Sequence, residues 1–171
     1  MYPKSGSFII ATDLLNDGLF NQKIVFLVEV NAQGAYGFIV NQTMTAPLYE
    51  LFNGVNRSDH RRAAVHIGGP VQEDQLQVLQ VAPKVEGAYE VLPGLYLGGA
   101  WESPAEFLEY FILHPDMHVF LGYSGWGPGQ LEKECDDGFW NVAEFLPNEV
   151  FMCKPNDLNR IPNDFAQRFG I

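Results

Sequence analysis

Most apolar stretches in this sequence have the length of strands, and several of them are joined by short turns that contain glycine. Lys23–Val30 is rich in β-branched and aromatic residues, a composition typical of a strand. Ala32-Gln33-Gly34 follows it, and the glycine tolerates the positive φ of a tight connection, so we predict a hairpin into Tyr36–Val40. Met117–Tyr123 is predicted to be a strand with both faces covered. Further strands are predicted at Ser7–Ala11, Ala63–Ile67, Leu76–Val81, Tyr89–Leu92 and Phe139–Phe145.

One segment carries a full set of helix signals. Ser103 stands at the N-cap, Pro104 at the first helical position and Glu106 at the third, which makes a capping box and predicts a helix over Pro104–Leu113. Strands outnumber helices, so we predict an α+β fold with a mixed, curved sheet. Shorter helices are predicted at Pro47–Phe52 and Gln130–Cys135.

Length, charge and the absence of long apolar stretches limit the classes of protein to which this chain could belong. The 171 residues suit one domain over 1–171, and the net charge of −11 opposes direct binding to nucleic acid or to an anionic membrane. No apolar stretch approaches the ~20 residues that span a bilayer, and the first residues lack the apolar run of a secretory signal. We therefore expect a cytoplasmic protein with reduced thiols at Cys135 and Cys153, although a bond between them depends on their Cα separation.

Four motifs in order carry a resemblance to a known family. The longest is Val-Phe-Leu-Gly-Tyr-Ser-Gly-Trp-Gly-Pro-Gly-Gln-Leu-Glu at 119–132, and Trp140 follows it. The others are Gly-Ser-Phe-Ile-Ile-Ala at 6–11, Gly-Phe-Ile-Val-Asn at 37–41 and Gly-Gly-Pro-Val at 68–71. Together they resemble the AlgH/YqgE family of bacterial proteins over residues 6 to 150.

The resemblance implies a single compact α+β domain whose sheet is bent into an incomplete barrel with a few short helices. It implies no known reaction, because the family is described as uncharacterised, with a transcriptional-regulator label that comes from one branch linked to alginate production. Gln80 stands where many members carry His, and Ser124 where Ala is usual. The tail, 151–171, fits the family pattern poorly.

The motifs that follow strands suggest a shared groove at one end of the sheet. In this hypothesis three aromatic residues form its walls, polar groups make contacts, and a turn begins at Ser124. The alternative is that the same residues lock turns to the core. The candidate groove residues are Asn41, Gly68, Gly69, Pro70, Tyr123, Trp126, Gln130, Glu132 and Trp140.

Other candidate sites have simpler interpretations. Ser124 lacks the second glycine of a nucleophile elbow, and the turn after it lacks the Gly-Lys-Ser/Thr of a phosphate-binding loop. His114-x-Asp116-x-His118 alternates ligand types, but a proline interrupts it and no third strong ligand is nearby. The basic cluster at 57–62 (Arg57, His60, Arg61, Arg62) is predicted to be a solvated loop.

Two classes of function remain open from the sequence. The first is a non-enzymatic binding or regulatory protein that acts through a protein partner or a small molecule, with any effect on transcription indirect. The second is an enzyme whose site lies at the Gly-Trp-Gly-Pro-Gly-Gln turn, with Glu132 or another carboxylate as acid or base. We assign no catalytic residue, no cofactor and no metal, and the oligomeric state stays open.

Overall fold

A computed structural model describes residues 2–81, 86–101, 103–114, 117–144 and Phe151 of the chain. Within this part, ten strands form one sheet and three helices flank it. The strands are β1 Phe8–Ala11, β2 Ile24–Asn31, β3 Gly34–Ile39, β4 Thr43–Pro47, β5 Arg62–Ile67, β6 Val71–Val81, β7 Tyr89–Leu92, β8 Leu95–Leu97, β9 Met117–Trp126 and β10 Trp140–Ala143. The helices are α1 Leu48–Leu51, α2 Pro104–Leu113 and α3 Gln130–Asp136.

The sheet is mixed and curled into a half-barrel, as predicted. Its main path runs β10-β1-β2-β3-β9-β6-β8-β7, and every pairing along this path is antiparallel. β5 lies parallel to β9 and carries β4 on its other side. β9 takes part in both halves because Gly122, at a φ of 71°, bends the strand without ending it.

Each face of the curled sheet buries its own apolar cluster. The inner cluster includes Phe8, Phe26, Phe38 and Phe120, and Phe151 packs among them from beyond β10. On the outer face, α3 covers β1–β3, and α1 and α2 cover β5, β6 and β9. Because alternate residues of a strand face opposite sides, the apolar runs of β1, β2 and β9 supply both layers.

The helix with the strongest sequence signals has the predicted bounds. The side chain of Ser103 accepts a hydrogen bond from the backbone N–H of Glu106 at 3.1 Å, which confirms the N-cap of α2. The predicted turn from Ser124 is wrong for residues 124–126, which continue β9 and pair with β3. The predicted strand Leu76–Val81 is the second half of β6, whose register shifts between Val71 and Leu76.

Of the two thiols, Cys135 lies half-buried on α3, whereas Cys153 lies outside the described residues with the rest of the tail. Burial raises the pKa of the Cys135 thiol to about 11, and Glu132, Glu134 and Asp136 act in the same direction. This thiol therefore remains protonated at neutral pH.

Candidate functional site

The glycine-rich turn between β9 and α3 is held by one carboxylate, that of Glu134. Oε2 of Glu134 accepts hydrogen bonds from the indole N–H groups of Trp126 and Trp140, each at 2.9 Å. Oε1 of Glu134 accepts from the side-chain amide N–H of Gln130 at 3.1 Å, and the side-chain Oε1 of Gln130 accepts from the backbone N–H of Gly127 at 3.0 Å. These contacts use the polar groups of the turn to fix the turn itself. The sequence pointed to Glu132, whereas the next carboxylate along α3 makes the contacts.

Asn41 also makes its contacts inward. It is buried, its side-chain oxygen accepts from the backbone N–H of Ile24 at 2.8 Å, and its amide donates to the carbonyl of Gln22 at 2.9 Å. Asn41 therefore ties the end of β3 to the start of β2.

The Gly-Gly-Pro motif lies against the bend of β9. The carbonyl of Gly68 accepts hydrogen bonds from the backbone N–H of Ile39 at 2.8 Å and from the hydroxyl of Ser124 at 3.1 Å. A Cβ on Gly69 would lie 2.2 Å from the carbonyl carbon of Tyr123, so only glycine permits this approach. Pro70 follows at the surface.

A cleft of about 680 Å³ opens where β2, β3 and the second half of β9 run side by side. Of the nine predicted groove residues, Tyr123 and Trp126 line it, and the other seven are not among its lining residues. Sequence reasoning did not assign the remainder of the lining to the groove, because only Val71 and Gly125 among these residues belong to a motif. The remaining lining residues are Glu29, Asn31, Gln33, Gly34, Ala35, Tyr36, Val71, Gln77 and Gly125.

The cleft exists because one position in a row of side chains is empty. Glu29 of β2 is paired with Tyr36 of β3, and Tyr36 is paired with Gly125 of β9, so the three residues form a row across the sheet. A Cβ on Gly125 would lie 3.5 Å from Cε2 of Tyr123, which is an ordinary contact. Glycine at this position therefore leaves space that a side chain could occupy.

Two tyrosines and one carboxylate set the chemistry of the cleft. The rings of Tyr36 and Tyr123 meet edge to face, with centroids 6.0 Å apart. Burial raises the pKa of Tyr36, and the nearby Glu29 and Tyr89 raise it further, so its hydroxyl stays neutral. Oε1 of Glu29 accepts a hydrogen bond from the amide of Asn31 at 3.0 Å. None of the described residues that line the cleft is basic.

A buried histidine pair lies apart from the cleft, on the inner face of the sheet. Nε2 of His66 lies 2.8 Å from Nδ1 of His118, and Nε2 of His118 lies 2.9 Å from the carbonyl oxygen of Phe151. Because a carbonyl only accepts, His118 donates from Nε2 and accepts at Nδ1, and His66 must donate from its own Nε2. Among the described residues, this leaves the buried Nδ1 of His66 without a hydrogen-bond partner.

The environment of His66 keeps its ring uncharged. Burial holds the pKa of His66 well below its usual value, electrostatic repulsion from the neighbouring His118 would oppose a second proton in the same way, and the backbone of Val40 offsets this only in part. The ring stacks on Phe120 with centroids 4.4 Å apart. Sequence spacing could not reveal this pair, because 52 residues separate the two histidines.

The predicted metal and basic clusters are arranged differently from a ligand site. His114 stacks on Tyr110 while His118 points into the core, and Asp116 lies outside the described residues. Among the described residues, no three His, Cys, Asp or Glu side chains come together as a metal site would need. The basic loop is exposed, and Arg61 within it forms an ion pair with Asp59 at 2.6 Å. No helix in the described part of the chain has the length and apolar character needed to cross a membrane.

Comparison with known proteins gives consistent matches. A UPF0301 protein of Chlorobium luteolum is 36% identical over 149 residues, which cover 86% of this chain and 77% of that protein. A UPF0301 protein of Chlamydia trachomatis is 30% identical over 166 residues, covering 96% and 86%.

Solved structures agree with the fold. The solution structure of the AlgH protein from Pseudomonas aeruginosa superposes with a TM-score of 0.75 at 26% identity, covering 98% of this chain and 89% of that one. Protein DIP2367 from Corynebacterium diphtheriae shares the fold, with a TM-score of 0.74 at 21% identity, covering 98% and 88%. The family model described as AlgH-like matches residues 8–163, and the chain therefore belongs to the AlgH-like family.

Proposed function

We propose that this protein is a non-enzymatic binding protein and that its binding site is the cleft beside Tyr36, Tyr123 and Gly125. The observation that carries the proposal is the cleft itself, an open depression of about 680 Å³ beside two aromatic rings. Small-molecule sites commonly measure roughly 300–1,000 Å³ and combine apolar walls with a few polar groups. The amides of Gln33 and Gln77 supply such groups at the rim.

The neighbouring side chains favour binding over catalysis. Ser124 is fully buried, and its hydroxyl donates to the Gly68 carbonyl, so it is neither accessible nor paired with a base. The carboxylate of Glu134 accepts hydrogen bonds from Trp126 and Trp140 through Oε2 and from Gln130 through Oε1, so both of its oxygens are engaged in holding the turn. An enzyme with its site at the turn from 125 to 130 is the alternative, and it has less support because that turn engages its own polar groups.

Any regulatory role would operate through a ligand or a partner protein. The net charge of −11 opposes direct contact with DNA, and the exposed guanidinium of Arg61 is already paired with Asp59. A cytoplasmic location is part of this proposal.

A cleft-filling variant tests the proposal. A thermal-shift screen against metabolites and nucleotides should identify a ligand, and a ligand at 100 times its dissociation constant stabilises the fold by about 2.7 kcal/mol. Gly125→Phe should abolish that shift, because the new ring extends into the cleft. Gly18→Phe is the matched control, since nothing lies within 4 Å of a Cβ at that exposed position. A ligand whose shift survives Gly125→Phe binds elsewhere and contradicts the proposal.

A further inference from the structure

The row of residues that forms the cleft places a negative charge and aromatic rings beside the same empty space. Glu29 and Tyr36 are directly paired across β2 and β3, and Tyr36 is paired with Gly125. Directly paired residues have Cβ atoms about 4.5–5.5 Å apart on the same face of the sheet. A group that fills the space above Gly125 therefore lies beside the rings of Tyr36 and Tyr123, and Glu29 lines the same cleft one strand beyond Tyr36.

The charge of the cleft is of one sign. Among the described lining residues Glu29 is the one acidic side chain and none is basic, and the chain as a whole carries a formal charge of −11. Nearby, Glu73 and Asp74 are exposed in the irregular part of β6 between Val71 and Leu76. The electrostatic potential at the cleft thus favours a cation and disfavours a phosphate or carboxylate ligand.

The kind of cation follows from the groups that are present. A divalent metal ion prefers several oxygen ligands, and the cleft offers a single carboxylate. Aromatic faces instead attract weakly hydrated organic cations, of which quaternary ammonium groups are the best-known example. Tyr36 and Tyr123 meet edge to face and form a corner that can cover two sides of such a group.

We propose that the cleft binds a small organic ligand through an alkylated ammonium group, whose methyl groups pack on Tyr36 and Tyr123 and whose charge faces Glu29. This inference rests on the proposed function, because it assigns a ligand class to the same cleft. The carboxylate of Glu29 is exposed, so its contribution is screened by solvent and the preference for a cation is moderate.

Three probes of nearly identical shape separate charge from shape. Choline carries the cation, 3,3-dimethyl-1-butanol is its neutral carbon analogue, and 3,3-dimethylbutanoate is an anion with the same branched end. Each is titrated into the full-length protein, and binding is followed by NMR from the indole N–H of Trp126 and the backbone amides of Tyr36 and Gly125. Choline should bind at least roughly fivefold more tightly than the neutral analogue, a factor equivalent to about 1 kcal/mol.

Two charge variants locate the source of that preference. Glu29→Gln keeps the shape of an exposed side chain and should remove most of the difference between choline and the neutral analogue. Glu132→Gln removes one charge from α3, outside the cleft, and should retain the difference.

The outcomes distinguish a failure of the ammonium assignment from a failure of the proposed binding function. If the neutral or anionic probe binds at the cleft as tightly as choline, the ammonium assignment is wrong while a binding cleft remains. If none of the three probes moves the cleft resonances, the ammonium assignment is again overturned. The proposed function itself fails only if Gly125→Phe leaves the binding of ligands found in the screen unchanged.

Discussion

Acid should destabilise this protein through one buried ring, that of His66. In the folded protein Nδ1 of His66, which has no hydrogen-bond partner in the described part of the chain, is the position on this ring that can take up a proton, and burial lowers the pKa of the group. In the unfolded chain the same ring titrates near its ordinary value of about 6.5. Below that pH the unfolded chain binds a proton on His66 that the folded protein does not bind.

The sign and size of the effect follow from this difference in proton binding. The stabilising contribution of a neutral His66 is complete above a pH of about 6.5 and is lost as the pH falls toward the lower folded-state pKa. One proton of difference changes the free energy of unfolding by up to about 1.4 kcal/mol for each pH unit. Between pH of about 6.5 and 5, His66 should therefore contribute a loss of up to about 2 kcal/mol.

Urea unfolding at a series of pH values, followed by tryptophan fluorescence, measures this loss. His66→Gln retains an amide N–H that can donate to Nδ1 of His118 but cannot titrate, so its stability should depend less on pH over that range. His66→Phe keeps the stacking on Phe120 and replaces the glutamine variant if that one does not fold. Its stability should show the same weaker dependence on pH. His60→Gln changes an exposed loop histidine and serves as the control. Equal pH slopes in the wild type and in both His66 variants would refute the assignment.

Three other predictions concern the turn, the sheet and the thiol. Glu134→Gln removes the charged acceptor of two indole N–H groups and should cost about 1–3 kcal/mol in urea unfolding, whereas Glu132→Gln should change stability by less than about 0.5 kcal/mol. Gly37→Ala would place a Cβ against the carbonyl oxygen of Phe26 and should sharply lower the melting temperature or prevent folding. An unchanged melting temperature would disprove the close approach of the two strands at this position. Gly18→Ala is the control, because nothing lies within 4 Å of a Cβ there. In a variant with Cys153 replaced by serine, Cys135 should react with iodoacetamide at least roughly tenfold more slowly in the native protein than in urea. The reason is that a pKa of about 11 leaves little thiolate. Equal rates in the two conditions would contradict the burial of Cys135.

Local signals in the sequence predicted the elements that depend on local contacts. The capping residues around Ser103 fixed the start of α2, and the apolar run from Ile24 marked β2. β4 and β8 were missed because β4 has exposed Met44 and Thr45 in place of an apolar run, and because β8 has three residues. Neither β4 nor β8 can be recognised from its own residues without the strand that pairs with it.

The site was harder to predict because it depends on pairing between distant strands. The motifs drew attention to Asn41 and Gly69, whose roles are a buried hydrogen bond and a close backbone approach. The cleft instead forms where Glu29, Tyr36 and Gly125 are brought into one row by strand register, and register is not encoded in any one motif. The environment of Gln80 was equally hidden from sequence reasoning. Its buried Oε1 lacks a hydrogen-bond partner among the described residues, and the composition gave no sign of this.

The pairing of β1 with β10 has a consequence for how the protein is made. Phe8 is aligned with Ala143, so the backbone hydrogen bonds along one edge of β1 form only after β10, the last strand of the described residues, has been made. Phe151, which completes the inner cluster against Phe8 and Phe26, is made later still. At roughly 5–20 residues per second, a ribosome exposes β1 and β2 for several seconds before their final partners emerge. A nascent chain of this protein therefore carries an open apolar sheet edge until β10 has emerged to pair with β1.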